Sequence, residues 1–561
     1  MAAIPRAQPT TVVGWLRERA ARHPDRRSAT YGFPDRPDAT LTFGELERRT
    51  REFAALYARS GIGRGDLVVL LLEHSVDMMP AFHGAQWIGA VPTFLQVPTA
   101  RMRFDLYARD LTILLERSKP RAILLDPELR ESLAPVLPKE VRVLVPTDAR
   151  PGELAGEPLA TDPEDVCMVQ YSSGSTGLRK GTALSDRAVL NELSSFAEHF
   201  RLGESDHVAA WLPLYHDWGL ICVTVASVVL GCEYTLLSPA HWIGHPASIY
   251  RRISDRRATC YWMPNFAFNY SASRIPDSDL EGVDLSCLRA VTNGAEPCFH
   301  ESHEKLLARF ARYGLRREAL AIVYGMAEVV CVVVSIGGVG NDPIVSDCID
   351  RKVLLEEQRA VAVAEDHERA QRVLSVGRCL GGTRFRIVDP STHADLPDRV
   401  VGEVLFQSNA QMNGYYRNPE ASAACMRDGW YVTGDLAYRV GDLIFYTGRR
   451  KDLIILGGNN LYPQDVEEIV FSHPNVVVGR AVALGVTDLE LGTQRLVVVC
   501  ETRSEDAEGK RDVVRFVRRE VAARIGAHVD RVYFAPPRWL LKTPSGKIAR
   551  QPNLERLGEL E

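Results

Sequence analysis

Short apolar runs with the character of buried β-strands recur through the first part of the chain, at residues 67–72, 122–125, 141–145, 166–169, 288–291 and 321–323. Between them lie stretches whose apolar residues return every three or four positions, as in 43–57 and 303–311, the spacing that gives a helix one apolar face. This alternation predicts an α/β fold with largely parallel sheets, at least two of them given the number of strands. Residues 147–163 are rich in Pro, Gly, Ala and acids without any period and read as a surface linker. From about residue 401 the texture changes to closely spaced short strands, 403–406 and 443–446, separated by glycine turns: a β-rich lobe. After Arg450 comes a compact α+β pattern, with a helix from about 463 carrying Val466, Ile469 and Val470 on one face and strands at 476–484 and 496–501. A second helix, at about 511–525, bears Arg511, Arg515, Arg518, Arg519 and Arg524. Those arginines read as a solvated face or, alternatively, as a dock for an acidic partner. The predicted organisation is therefore two α/β lobes plus a β-rich lobe in residues 1–450, and a small α+β C-terminal domain in 451–561.

Composition narrows the possibilities. With 561 residues, 46% hydrophobic and 25% charged, the chain can bury several cores, and its net charge of −5 offers no general attraction to nucleic acid. The eleven cysteines contain no C-x-x-C pair, which argues against a zinc ribbon and for reduced thiols in a cytoplasmic protein. The first residues lack the apolar core of a signal peptide, and the longest apolar stretch, 219–231, is too short to span a bilayer, so membrane insertion is not expected.

The most informative segment is Tyr171-Ser-Ser-Gly-Ser-Thr-Gly-Leu-Arg-Lys180-Gly, which packs four Ser/Thr hydroxyls, three glycines and a lysine after an apolar run. Glycines let the main chain approach anionic oxygens, hydroxyls and N–H groups donate to them, and Lys180 adds a point charge. The common P-loop needs its lysine directly after the second glycine, and here Leu178 and Arg179 intervene, so the segment suggests nucleotide chemistry of another kind. The alternative for such a segment, taken alone, is a flexible Ser/Gly linker.

Further strings accompany it in order: Asn293-Gly-Ala-Glu296, Tyr324-Gly-Met-Ala-Glu328, Tyr431-Val-Thr-Gly-Asp435, Thr447-Gly-Arg-Arg-Lys-Asp452 and Lys542-Thr-Pro-Ser-Gly-Lys547. Together they resemble the core motifs of the adenylate-forming superfamily, which includes acyl-CoA synthetases, adenylation domains and luciferases, over roughly residues 10–551. The resemblance implies ATP as co-substrate and a role for each motif. Ser172, Ser173, Gly174, Ser175, Thr176 and Lys180 would hold the β- and γ-phosphates. Asn293, Gly294, Ala295 and Glu296 would line the adenine, the ring of Tyr324 would pack on the base, and Gly325 and Met326 would belong to the same nucleotide site. Glu328 would take Mg2+, Asp435 would accept the ribose hydroxyls, and Arg449 would assist at ribose and phosphates. Lys547 would stabilise the charge that develops as a carboxylate attacks the α-phosphate. Lys451 would be the hinge about which the C-terminal domain moves.

Three more strings resemble the fatty acyl-AMP ligase branch: Trp211-Leu-Pro-Leu-Tyr-His216-Asp217-Trp-Gly-Leu220, Pro264-Asn-Phe266-Ala267 and Tyr462-Pro-Gln-Asp465. In that branch His216 neighbours the acyl carboxylate, and the acyl pocket would be lined by His216, Asp217, Trp218, Cys222, Trp262, Met263 and Phe266. Trp218, Cys222 and Trp262 depart from the branch's usual residues. Pointing into the tunnel they would shorten it, favouring a medium-chain or modified acid, and the alternative is that Trp262 packs outward in the core. About 45 residues follow Glu328 before Val376-Gly-Arg378. In that branch an insertion here ties the C-terminal domain and hinders the rotation coenzyme A requires, and the alternative is a tolerated surface insertion. The function implied is activation of a fatty acid to acyl-AMP and transfer to the phosphopantetheine thiol of an acyl carrier protein. The paired Gly457 and Gly458 resemble coenzyme A ligases instead, which keeps a fatty acyl-CoA synthetase as the alternative. An adenylate-binding protein without turnover is the alternative outside enzymology.

Overall fold

The computed structural model describes residues 8–99, 104–171, 180–456, 459–488, 493–543 and 546–560. Its largest element is a nine-stranded sheet in the order Arg378–Cys379, Val334–Gly337, Leu320–Tyr324, Ala290–Gly294, Cys260–Pro264, His207–Ala210, Glu233–Leu237, Arg27–Gly32, Ala39–Thr42. From Leu320–Tyr324 across to Arg27–Gly32 every neighbouring pair is parallel, and the flanking strands are antiparallel. A second, wholly parallel sheet joins Val91–Phe94, Leu67–Leu71, Ala122–Leu125 and Arg142–Leu144. Both are the sheets the alternating pattern predicts. The central strands Leu67–Leu71 and Ala122–Leu125 are unbroken apolar runs and buried throughout, as expected where both faces of a sheet are covered.

One strand departs from that reading. Val166–Tyr171 does not enter a parallel sheet but pairs antiparallel with Gly181–Ser185, which in turn pairs with Gly414–Tyr415. The phosphate-loop segment thus connects two arms of a hairpin, and Ser185 caps the helix Asp186–Phe200 by accepting the Ala188 N–H at 3.3 Å. The apolar stretch near 219–231 becomes a buried helical segment, Asp217–Gly219 running through a π-turn at Leu220–Val225 into Ala226–Leu230. It is apolar all round because it is buried all round.

The β-rich lobe is an antiparallel sheet of Thr383–Val388, Gly402–Ser408, Trp430–Val440 and Leu443–Arg449, with Met426–Arg427 at its edge. Beyond it, Pro463–Phe471 and Ala507–Ile525 pack on the sheet Val476–Asp488, Thr493–Thr502 and Val529–Phe534. This last unit has cores of its own: Val466, Val470, Val498 and Val517 on one side of its sheet, and Val482, Val499, Trp539 and Leu540 on the other. Among the described residues no helix is long and apolar enough to cross a membrane. All eleven cysteines are free thiols.

Candidate active site

Asp435 and Arg449 stand opposite each other in the register of the last two long strands of the β-rich lobe. Asp435 follows Gly434, whose φ of +73° turns the strand at that point, and its own N–H donates to Thr433 Oγ1 at 2.9 Å. The carboxylate is only 4% exposed. A charge at that depth needs partners, and it has two: the Tyr324 hydroxyl donates to Oδ2 at 2.7 Å and Arg449 Nε donates to Oδ1 at 3.1 Å. Burial, then the Asp435 charge, pushes the Tyr324 phenol well above its ordinary value, so it remains a donor. Tyr324 ends its strand in the large sheet and lies 6.0 Å from the rings of both Phe406 and Tyr446. Two lobes therefore meet at one carboxylate.

A second carboxylate, Glu328, lies on the short turn Ala327–Val329 and accepts the Tyr415 hydroxyl at 2.7 Å on Oε1. Lys180, at the end of the Ser/Gly segment, places its ammonium 4.7 Å from the Tyr415 ring centroid, a cation–π distance. Among the described residues no group of three or more His, Cys, Asp or Glu side chains is placed to hold a metal.

The third corner is His216 and Asp217. His216 Nδ1 stands 2.7 Å from Asp217 Oδ1, and the Trp218 N–H donates to the same carboxylate at 2.6 Å. Burial opposes the Asp217 charge, yet His216 outweighs it, helped by Lys547, and the carboxyl is held below its ordinary range. Lys547 comes from the C-terminal unit, on a tight loop where its N–H donates to Thr543 Oγ1 at 3.1 Å. It lies within electrostatic reach of Arg449, Asp217, Glu296 and Asp435. Loss of water in the cleft, followed by the Arg449 charge, lowers its affinity for a proton below that of an ordinary lysine. Asp435, Glu328, the His216–Asp217 pair and Lys547 all line one cleft of about 2590 Å³ between the main body and the C-terminal unit. Residues 16–416 match the family described as AMP-binding enzyme. The chain belongs to that family.

The family's relatives span nearly the whole chain. It is 29% identical to the 4-hydroxyphenylalkanoate adenylyltransferase of Mycobacterium tuberculosis, across 96% of this chain and 90% of that one. A structure from work on the fatty acyl-adenylate ligases of E. coli and L. pneumophila superposes with a TM-score of 0.90 at 25% identity, covering 98% of this chain and 97% of the other. A fatty acyl-adenylate ligase from L. pneumophila, solved with acyl adenylate and pyrophosphate, matches at 26% identity and a TM-score of 0.76, over 99% and 97% of the two chains. The fold is that of adenylate-forming enzymes, and the chain is an ATP-dependent acyl-activating ligase.

Within that frame the remaining candidate residues separate into two groups. Ala295, Glu296, Gly325, Met326, Phe266, Trp218 and the turn residue Lys451 line the cleft. Lys451 lies in the short turn Arg450–Asp452, between the lobe's last strand and the first strand of the C-terminal unit. Others face elsewhere. Asn293 is fully buried, is not among the residues lining the cleft, and donates through Nδ2 to Asn265 Oδ1 at 2.9 Å, bracing the strand ends. Gly294 is required by packing, since a Cβ there would stand 2.6 Å from Val323 Cγ2. Cys222, Trp262 and Met263 do not reach the cleft surface. Strand alternation sends Met263 to the Trp211–Trp242 side of the sheet. Trp262 goes to the other side, against Phe196 and Phe200, with its indole N–H donating to the Cys222 carbonyl at 3.2 Å. Ser172, Ser173, Gly174, Ser175 and Thr176, and the pair Gly457 and Gly458, lie outside the described residues.

Tyr415, which joins Glu328 to Lys180, is missing from the motif reading. The one trace it leaves is the Asn413-Gly414 turn before it, with Gly414 at φ +122°.

Proposed function

We propose that this enzyme joins a fatty or arylalkanoic acid of medium length to AMP, releasing pyrophosphate, and passes the acyl group to the phosphopantetheine thiol of a carrier protein. The observation that carries the first half is the convergence of Asp435, Glu328, His216 and Lys547 on one cleft. In this reading the ribose hydroxyls share the Asp435 carboxylate with Tyr324 and Arg449. Lys180 and the Ser172–Thr176 segment would take the phosphates, and Glu328 would hold Mg2+. Bound Mg2+ would neutralise the departing pyrophosphate. Lys547 holds its proton on Nζ beside the oxygen that attacks phosphorus, and His216, fixed by Asp217, orients the acid. The aromatic side chain of Trp218, which lines the cleft, ends the acyl space and favours medium chains. Residues 1–450 form the adenylation body and residues 451–561 the unit that swings about Lys451.

The choice of a carrier thiol over coenzyme A rests on the segment after Glu328. Its helix, Arg351–Glu357, packs on Asn459–Leu461 at the start of the C-terminal unit, while its hairpin, Ser346–Asp350 with Ala370–Leu374, lies against Leu443–Arg449 of the β-rich lobe. Leu354 and Leu355 share a core with Tyr462, and half-buried Ile525 packs against it. Arg351 Nη1 donates to the Arg524 carbonyl at 2.7 Å, and its charge reaches Asp465, whose carboxyl burial pushes up to about 6. These contacts hold the C-terminal unit with Lys547 in the cleft, the pose for adenylation.

The test is product analysis by mass spectrometry with ATP, magnesium, a panel of acids, and either coenzyme A or a phosphopantetheinylated carrier. Acyl-AMP and acyl-carrier, with little coenzyme A thioester, are expected, and rapid coenzyme A thioester formation overturns the acceptor assignment. Best turnover with acids longer than about sixteen carbons overturns the chain-length assignment. A companion experiment loosens the tether. Leu354→Ala removes buried packing of about 2–5 kcal/mol, and thioester formation with coenzyme A should rise while acyl-AMP formation stays unchanged. No rise shows that the tether does not select the acceptor.

A further inference from the structure

Between the strands Leu320–Tyr324 and Val334–Gly337 the chain doubles back through residues 325–333, and the turn is strained. Val330 has φ +69° and ψ −61°, and the Cys331 N–H donates to the Val329 carbonyl at 3.0 Å. This is a γ-turn of the strained hand, centred on a β-branched side chain that is fully buried. Positive φ is a genuine outlier for such a residue, and it persists only where the surroundings over-determine it. Here the restraints are specific. A Cβ at Gly325 would stand 1.7 Å from the Cys331 carbonyl oxygen, so the loop closes on a glycine. The Val333 N–H donates to the Tyr324 carbonyl at 3.0 Å. The Val332 N–H donates to Glu192 Oε1 at 2.7 Å.

Glu192 is 2% exposed, on the helix Asp186–Phe200 that begins where the phosphate-loop hairpin ends. Acidic side chains are almost never this deep without a partner, and among the described residues its bond is to the loop's main chain. Packing alone would be served by leucine or methionine. We infer that Glu192 is a positioning residue for adenylation. By accepting the Val332 N–H it holds the Val330 turn, and so sets the Glu328 carboxylate before the turn and the cleft-lining residues Cys331 and Val332 after it. This role rests on the acyl-adenylate reading above. The groups facing Glu192 are Asp217 from the start of the neighbouring helical segment, Cys222 from its π-turn and Cys331 from the loop itself. Burial, with Asp217 adding to it, pushes the Glu192 carboxyl up to about 8, so near neutrality it accepts the N–H uncharged.

The test compares Glu192→Gln with Glu192→Leu in acyl-AMP formation, with the acid and magnesium varied. Glutamine retains a neutral acceptor and should stay within about twofold of wild type. Leucine leaves the Val332 N–H unpaired and should lower kcat/KM by about tenfold or more, with a raised requirement for magnesium. The acid KM of wild type should rise above pH 8, as the carboxyl ionises beside Asp217. That of Glu192→Gln should stay flat. If the leucine variant does not fold, this pH comparison decides the matter. Equal kcat/KM for both variants, or identical pH profiles for wild type and glutamine variant, overturns the role of Glu192 alone. Wild-type protein that makes no acyl-AMP overturns the functional reading instead.

Discussion

Lys547→Ala should lower acyl-adenylate formation by about two to three orders of magnitude while ATP still binds. Lys547 is carried by the C-terminal unit on the loop 543–547, and it enters a cleft whose other walls supply Asp217, Glu296, Asp435 and Arg449. When a carboxylate attacks the α-phosphate, negative charge grows on the oxygens between them, and a fixed cation there acts mainly in the transition state. Removing one such donor in comparable sites costs about 2.7–4 kcal/mol in the barrier. On the proposed reading the main body's ATP contacts, at Asp435 and Lys180, are left intact, so titration calorimetry should show little change in ATP affinity. Acyl-AMP formation at the wild-type rate would remove Lys547 from the mechanism. The pH profile offers a second check. Lys547 must be protonated to act, and enclosure plus the Arg449 charge lowers its proton affinity. Activity measured as kcat/KM, which reports the free enzyme, should therefore be lost on the alkaline side at lower pH than an ordinary lysine would give. Lys547→Arg should move that loss upward if it retains turnover.

The fold class was readable because helices alternate with apolar strands, and this shows in composition and period alone. The direction of a strand next to an irregular loop was not. The run 166–169 has the same apolar character as its parallel counterparts, yet a hairpin partner fifteen or so residues on, Gly181–Ser185, makes it antiparallel. The same limit applies at the site. Asp435, Glu328 and Lys547, which line one cleft, each sit in a short motif that stands out in the sequence. Which way Asn293 or Trp262 points depends on which sheet face meets the cleft, and Asn265 and Phe196, which settle it, are 28 and more residues away. Tyr415 and Glu192 act on residues far along the chain, Glu328 and Val332 respectively, through single hydrogen bonds. No local period encodes such a pairing. It exists only after the hairpin sheet that carries Tyr415, and the helix Asp186–Phe200 that follows it, have met the end of the large sheet.

Asp435→Ala should weaken ATP binding by about one to two orders of magnitude, with a smaller effect on turnover at saturating ATP. Two losses combine. Bound nucleotide forfeits charge-assisted hydrogen bonds from its ribose, worth about 1.5–3 kcal/mol when the acceptor is ionised. The free enzyme also changes, because the Tyr324 hydroxyl and the Arg449 guanidinium lose the carboxylate they share. Unpaired, Arg449 is drawn toward other acids in the cleft, and its repulsion of Lys547 is no longer offset by Asp435. Asp435→Asn separates the two effects: it keeps the shape and one acceptor oxygen but removes the charge, so binding should fall less than in the alanine variant. Discrimination between ATP and 2′-deoxy-ATP provides the decisive readout. Wild type should prefer the ribonucleotide, and Asp435→Ala should lose most of that preference, since the acceptor that reads the hydroxyl is gone. Equal preference in both proteins would mean that Asp435 braces Tyr324 and Arg449 without touching the sugar, and the nucleotide would then have to lie elsewhere in the cleft.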